Sequence, residues 1–169
     1  MKIVLLGNAG AGKSTMAKQL MGDRAIALLS LDDIAWNPGV QRKPLDESIA
    51  LLKAFIHEHK QWIIEGCYGD LVAAALPYCD ELRFLNPGVE VCVAHCRQRP
   101  WEPDKFASPE EQNAMLHGLI DWVKDYASRP DEFGLQRHRQ IFDRFTGQKQ
   151  EYRTVADYDH ANPIESKVI

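Results

Sequence analysis

Gly7-Asn8-Ala9-Gly10-Ala11-Gly12-Lys13-Ser14 carries the spacing G-x-x-x-x-G-K-[ST], a set of residue types suited to holding a chain of phosphates. The glycines let the backbone turn without Cβ clashes, so that successive N–H groups can point inward at an anion. A helix beginning near Gly12 adds the positive end of its dipole to the same point. Lys13 is then placed to reach the β- and γ-phosphates, and the Ser14 hydroxyl to complete the shell of a Mg²⁺ ion bridging them. With Thr15 closing the stretch, residues 7–15 form the expected nucleotide-binding loop, with ATP and Mg²⁺ as its ligands.

Acids and arginines elsewhere supply the rest of such a site. Asp32 and Asp33 follow an apolar run, Ala25 to Leu29, that reads as a buried strand. In an open parallel sheet ligands collect at the carboxyl ends of strands, which puts both acids near the loop. There a carboxylate can hold a Mg²⁺-bound water or take a proton from an attacking hydroxyl; Asp-Asp after a strand is equally a helix cap and turn pair. Glu65 closes the run Trp62-Ile63-Ile64 and is the best single acid for orienting the ion through water. Its other reading is a cap on the next helix. Arg97 and Arg99 end a helix, either as a solvated terminus or as a clamp on the phosphoryl group in flight.

These residues need elements to hold them. Ile3 to Leu6 reads as the first strand, and Met16 to Leu20 continues the helix behind the loop. Residues 34–39 read as a loop, in which Trp36 either stacks on a planar substrate or covers the core. Leu45, Ile49, Leu52 and Ile56 share one face of a helix that runs through about His59. A short helix over residues 69–76 stops at Pro77, Leu82 to Leu85 is the fourth strand, and Val89, Cys92, Val93 and Cys96 form an apolar stripe. Ser108-Pro109-Glu110-Glu111 has the form of a capping box. Its helix turns Met115, Leu116, Leu119, Ile120, Val123 and Tyr126 inward. A further helix from about Glu132 to Phe145 buries His138 as a structural residue, and Tyr152 to Val155 is the expected fifth, edge strand. Residues from Asp157 on read as a loosely docked tail.

At 169 residues and 45% hydrophobic, the chain has the size and composition of a single soluble domain. A net charge of −4 offers no general attraction to nucleic acid or anionic membrane. The cysteines Cys67, Cys79, Cys92 and Cys96 include no C-x-x-C pair, which points to reduced thiols. Met1-Lys2 leads straight into the first strand, leaving no room for a signal peptide, and no apolar run approaches a membrane span. The expectation is a cytoplasmic protein, monomeric or homodimeric, with a small-molecule partner.

Strands alternating with helices, phosphate loop first, predict a doubly wound α/β domain with a parallel sheet. In this the sequence resembles the adenylate-kinase-like group of small P-loop kinases, which includes the nucleoside monophosphate kinases and shikimate kinase. The resemblance covers Lys2 to about Val155 and implies the strand order 2-3-1-4-5, with an arginine-bearing lid at about residues 98–130. Ile64-Glu65-Gly66 is similar to the Asp-Gly of adenylate kinases, although Gly69 stands where their arginine follows. Asp32 and Asp33 resemble the shikimate kinase acids for Mg²⁺ and substrate, which are spaced one residue apart there. Arg97 and Arg99 resemble the arginines bordering the lid; Arg129-Pro130-Asp131-Glu132, with Arg137 and Arg139, is similar to the stretch returning from it. Residues 31–36 with 62–68 resemble a bacterial group called topology-modulation proteins.

The resemblance implies a kinase that transfers the γ-phosphoryl group of ATP to a small acceptor. Ser14, Asp32 and Glu65 would support the ion, Asp33 would position or deprotonate the acceptor, and Lys13, Arg97, Arg99 and Arg137 would neutralise charge. A nucleotide-switched regulator of DNA topology is the alternative, with Arg129, Arg137, Arg139, Arg144, Lys149 and Arg153 as its basic face.

Overall fold

A computed structural model describes residues 1–38, 41–103 and 106–160. Its strands, in chain order, are β1 (Lys2–Gly7), β2 (Ala27–Ser30), β3 (Trp36–Asn37), β4 (Gln41–Arg42), β5 (Trp62–Gly66), β6 (Glu81–Leu85) and β7 (Gln148–Tyr152). The helices are α1 (Lys13–Met21), α2 (Leu31–Ala35), α3 (Leu45–Glu58), α4 (Gly69–Ala75), α5 (Val89–Arg97), α6 (Pro109–Lys124) and α7 (Leu135–Arg144). β2-β5-β1-β6-β7 form a five-stranded, all-parallel sheet, the 2-3-1-4-5 order of an α/β fold, while β3 and β4 make a separate antiparallel ribbon.

The pleat of β1 explains the layering, because successive side chains leave opposite faces of the sheet. Val4 and Leu6 enter a core with Leu52 and Ile56 of α3, Leu71 and Val72 of α4 and Ile141 of α7. Ile3 and Leu5 enter a second core with Met16 and Leu20 of α1, Cys92 and Cys96 of α5 and Ile120 and Val123 of α6. Both faces are therefore covered, and β1 is an unbroken apolar run for that reason. The C-terminal half of α6, within the expected lid, is anchored in this second core. Among the described residues no helix is long and apolar enough to cross a membrane.

Several expectations are corrected. The edge strand is Gln148–Tyr152, ahead of the expected Tyr152 to Val155. It pairs on one side only, so Gln148, Lys149 and Gln150 stay exposed and leave no apolar alternation to read. The last helix starts at Leu135, because the Asp131 carboxylate accepts the Phe133 N–H and the Asp131 carbonyl accepts that of Gly134, closing a turn first. The expected 34–39 loop is the end of α2 plus the first strand of the ribbon, with Gly39 outside the described residues. Leu45 and Met115, both expected inward, are 43% and 54% exposed at the first turn of α3 and in the middle of α6. Of the tail, residues 155–160 form a 3-10 turn, and residues 161–169 lie outside the described residues. Trp101 to Ala107 holds no helix or strand among its described residues; 104 and 105 lie outside them.

Candidate functional site

β1 ends at Gly7 and α1 begins at Lys13, with the phosphate-loop sequence between them. Gly10 and Gly12 have φ of +78° and +92°, the left-handed region that side chains avoid. A Cβ on Gly10 would stand 2.3 Å from the Cys92 carbonyl oxygen and 2.8 Å from the Cys96 sulfur. The loop is pinned from outside by distant residues. Asn8 Nδ2 donates to the Val123 carbonyl at 3.1 Å, and the Tyr158 hydroxyl donates to the Ala11 carbonyl at 2.7 Å. His95 Nδ1 lies 2.8 Å from the Gly10 carbonyl; since a carbonyl only accepts, that nitrogen carries the ring proton.

Lys13 is 8% exposed, and its ammonium donates to the Asn8 carbonyl at 2.9 Å. Among the described residues it forms no ion pair with a carboxylate. The N-terminus of α1 has neither a side-chain cap nor an acid in its first turn. Ser14 donates its hydroxyl to Glu65 Oε1 at 3.1 Å, and Glu65 is 7% exposed. Thr15, next along α1, is exposed. Ser30 pairs with Glu65 across β2 and β5, and α2 follows at once, carrying Asp32 and Asp33 to this end of the sheet.

Asp32 accepts a 2.5 Å hydrogen bond from the Tyr68 hydroxyl, which itself receives the Trp36 indole N–H at 2.6 Å. Burial, and then the charge of Asp32, push the Tyr68 phenol upward. Asp33 is exposed and has no partner among the described residues. Lys13, Asp32 and Glu65 all lie close enough to the Cys67 thiol to act on its charge, while desolvation pushes that thiol up to about 12. The carboxyl ends of β1, β2 and β5 thus bring the loop, Glu65 and the two aspartates to one end of the sheet. The four cysteines are unpaired; burial pushes Cys79 up to about 12 and Cys92 up to about 11, so these thiols are inert.

The arginines are mostly committed. Arg137 Nε donates to Glu132 at 2.9 Å, Arg99 stands 3.9 Å from Glu102, and Arg97 is exposed and without a partner among the described residues. Arg129 lies 4.1 Å over the Trp122 ring and 3.9 Å from Asp131, with its Nε buried and unpartnered. The expected basic face is neutralised only in part, because three carboxylates meet its six cations among the described residues. Arg139 and Arg153 both bond Glu151, whose carboxyl falls to about 2, chiefly through Arg139, and Lys149 donates to the Phe142 and Asp143 carbonyls.

Tyr68, Cys67 and Arg42 are members of this cluster that residue spacing did not single out. Arg42 donates to both oxygens of Asp70, at 2.9 and 3.1 Å, with its guanidinium 5.0 Å from the Tyr68 ring and 5.3 Å from the Phe133 ring. A tyrosine three residues past Glu65, at the turn into α4, was the one available signal. Among the described residues no group of three or more His, Cys, Asp and Glu side chains gathers as a metal cluster.

His138 braces the site from below. Its Nε2 lies 2.9 Å from the Cys67 carbonyl and must be the protonated nitrogen, so Nδ1 accepts the Tyr126 hydroxyl at 2.8 Å. A second proton would reverse the Tyr126 bond, and burial lowers the imidazole from 6.5 to about 4. Between those values the unfolded chain takes up the proton and the folded one does not, so stability falls as pH falls through the window. Moving from neutral pH to about pH 5 is expected to cost about 2 kcal/mol in urea unfolding. His138→Gln should flatten that slope; an unchanged slope would assign it elsewhere. The Glu151 carboxyl has the same sign but acts lower, between 4.5 and about 2.

No family model matches the chain, and no curated protein matches it.

Proposed function

We propose that the protein is an ATP-dependent phosphotransferase that moves the γ-phosphoryl group to a small-molecule acceptor. The observation that carries this reading is Lys13, a buried cation without an anionic partner among the described residues, set at an uncapped helix N-terminus. Burying a charge unpaired is costly, and a polyphosphate supplies the missing negative charge while the dipole of α1 and the loop amides add to it. Ser14 and Glu65 are hard oxygen donors in mutual contact, which fits Mg²⁺, an ion that takes one or two protein ligands and completes its shell with phosphates and water. Bound there, Mg²⁺ would offset charge on the phosphates.

The chain's own residues do the rest. Asp32 accepts the proton of the acceptor hydroxyl as the new O–P bond forms and the bond to the departing ADP breaks. Tyr68, which holds Asp32 in place, is what supports Asp32 in this role over Asp33, to which the resemblance gave it. Asp33 then borders the acceptor. Lys13, Arg97, Arg99 and Arg137 neutralise charge on the transferred group, with Lys13 and Arg97 the two that have no carboxylate partner among the described residues. Closure of the segment between α5 and the anchored half of α6 excludes water.

The test is ADP release with Mg²⁺-ATP against nucleoside monophosphates, nucleosides, shikimate and small sugars. Stimulation by one acceptor class is the expected result. Phosphate release that no acceptor stimulates would replace the kinase with a plain ATPase, and salt-sensitive DNA binding with no turnover would favour the regulator instead.

A further inference from the structure

We propose that the acceptor is a ring-bearing alcohol without negative charge, of the nucleoside, cyclitol or amino sugar kind, and not a phosphomonoester or carboxylic acid. The inference rests on the kinase reading and names its second substrate. An anionic acceptor needs cations free to meet it, and around Tyr68 they are already taken. Arg42 gives both its hydrogen bonds to Asp70 and lies against the Tyr68 and Phe133 rings. Arg137 is paired with Glu132 beside Gly69, where a Cβ would stand 2.9 Å from both side chains. Arg129 lies on Trp122, donating to its carbonyl, with Asp131 alongside.

The negative side is in surplus. Among the described residues Asp32 uses one oxygen for Tyr68 and leaves the other without a partner, and Asp33 has none. Lys13 is a buried cation without a carboxylate partner among the described residues, and the nucleotide phosphates claim it. A second anion would therefore meet two open carboxylates and would have to break the Arg42–Asp70 pair. The wall suits a neutral ring. Trp36 is 38% exposed, and its indole N–H is tied to Tyr68, so the ring is held in one orientation with surface left open beside Asp32. A ring lying on it presents a hydroxyl to the open oxygen of Asp32. That hydroxyl loses its proton to Asp32 and bonds to phosphorus, and ADP departs with the electron pair of the broken P–O bond.

The experiment uses matched pairs: nucleosides against their 5′-monophosphates, cyclitols against shikimate, and aldoses against their sugar acids. ADP release is measured with Mg²⁺-ATP, and binding is followed by Trp36 fluorescence with Mg²⁺-ADP present, with Trp36→Phe as the blank. The uncharged or amino-bearing member is expected to lead by at least about tenfold in kcat/KM or in Kd. Asp70→Asn, which releases Arg42, should narrow that ratio. A lead for the anionic member, equal use of both, or no binding by either while ATP still binds would overturn the inference. Failure of ATP itself to bind is a separate result, which overturns the kinase reading and the inference with it.

Discussion

Replacing Lys13 by alanine is expected to lower kcat/KM for ATP by about 10³-fold, roughly 4 kcal/mol of transition-state stabilisation. The same substitution is expected to raise, or leave unchanged, the melting temperature of the ligand-free protein. The two signs differ because the ammonium does two things. Without ligand it is 8% exposed and, among the described residues, satisfied only by the Asn8 carbonyl, so its burial opposes folding. With a polyphosphate bound it becomes half of a close ion pair. Thermal unfolding with and without Mg²⁺-ATP measures both effects, since a ligand that binds only the folded state raises the melting temperature by mass action. Wild type should show that rise and Lys13→Ala should lose most of it. A variant that keeps the full rise would show that the nucleotide is held elsewhere.

Gly10→Ala is expected to destabilise the fold by about 3 to 5 kcal/mol, the sum of left-handed strain and forced repacking. Its φ is +78°, and the new methyl group would meet the backbone of α5 at Cys92, which cannot rotate away. Gly88 separates the two contributions. Its φ of +97° and ψ of 152° lie in a region that essentially only glycine enters, but nothing lies within 4 Å of a Cβ built there, so Gly88→Ala should cost only backbone strain, about 1 to 3 kcal/mol. Urea unfolding of the two variants side by side checks the difference. Equal costs would mean that the loop moves freely away from α5, and the pinning by Asn8 and His95 would then carry little weight.

What could be read ahead of the structure was local. The strand, loop and helix at residues 2–21 announce themselves because glycines, apolar run and helix formers lie side by side. The sheet order followed from alternation of strands and helices together with a resemblance, and the observed sheet has that order. β7 escaped because a strand paired on one side has little to bury except Tyr152 at its end. The partner of Asp32 escaped for a different reason: Tyr68 is 36 residues away and meets it only through the β5-to-α4 turn. Neutralisation of the arginines was equally hidden, since Arg139 reads as part of a basic run until β7 brings Glu151 to it. Candidate residue types were legible, and their pairings were not.

The pins on the phosphate loop bear on how the protein is made. Val123, His95 and Tyr158 reach back to residues 8, 10 and 11 from 115, 85 and 147 positions along the chain. During synthesis the loop emerges first and its supports last, so its hydrogen bonds close only after long segments have been ordered. The loop sequence at the start of the chain thus waits for the ribosome to release residues near 158 before its shape is complete. A nascent chain stalled earlier carries the glycine-rich sequence without the finished loop.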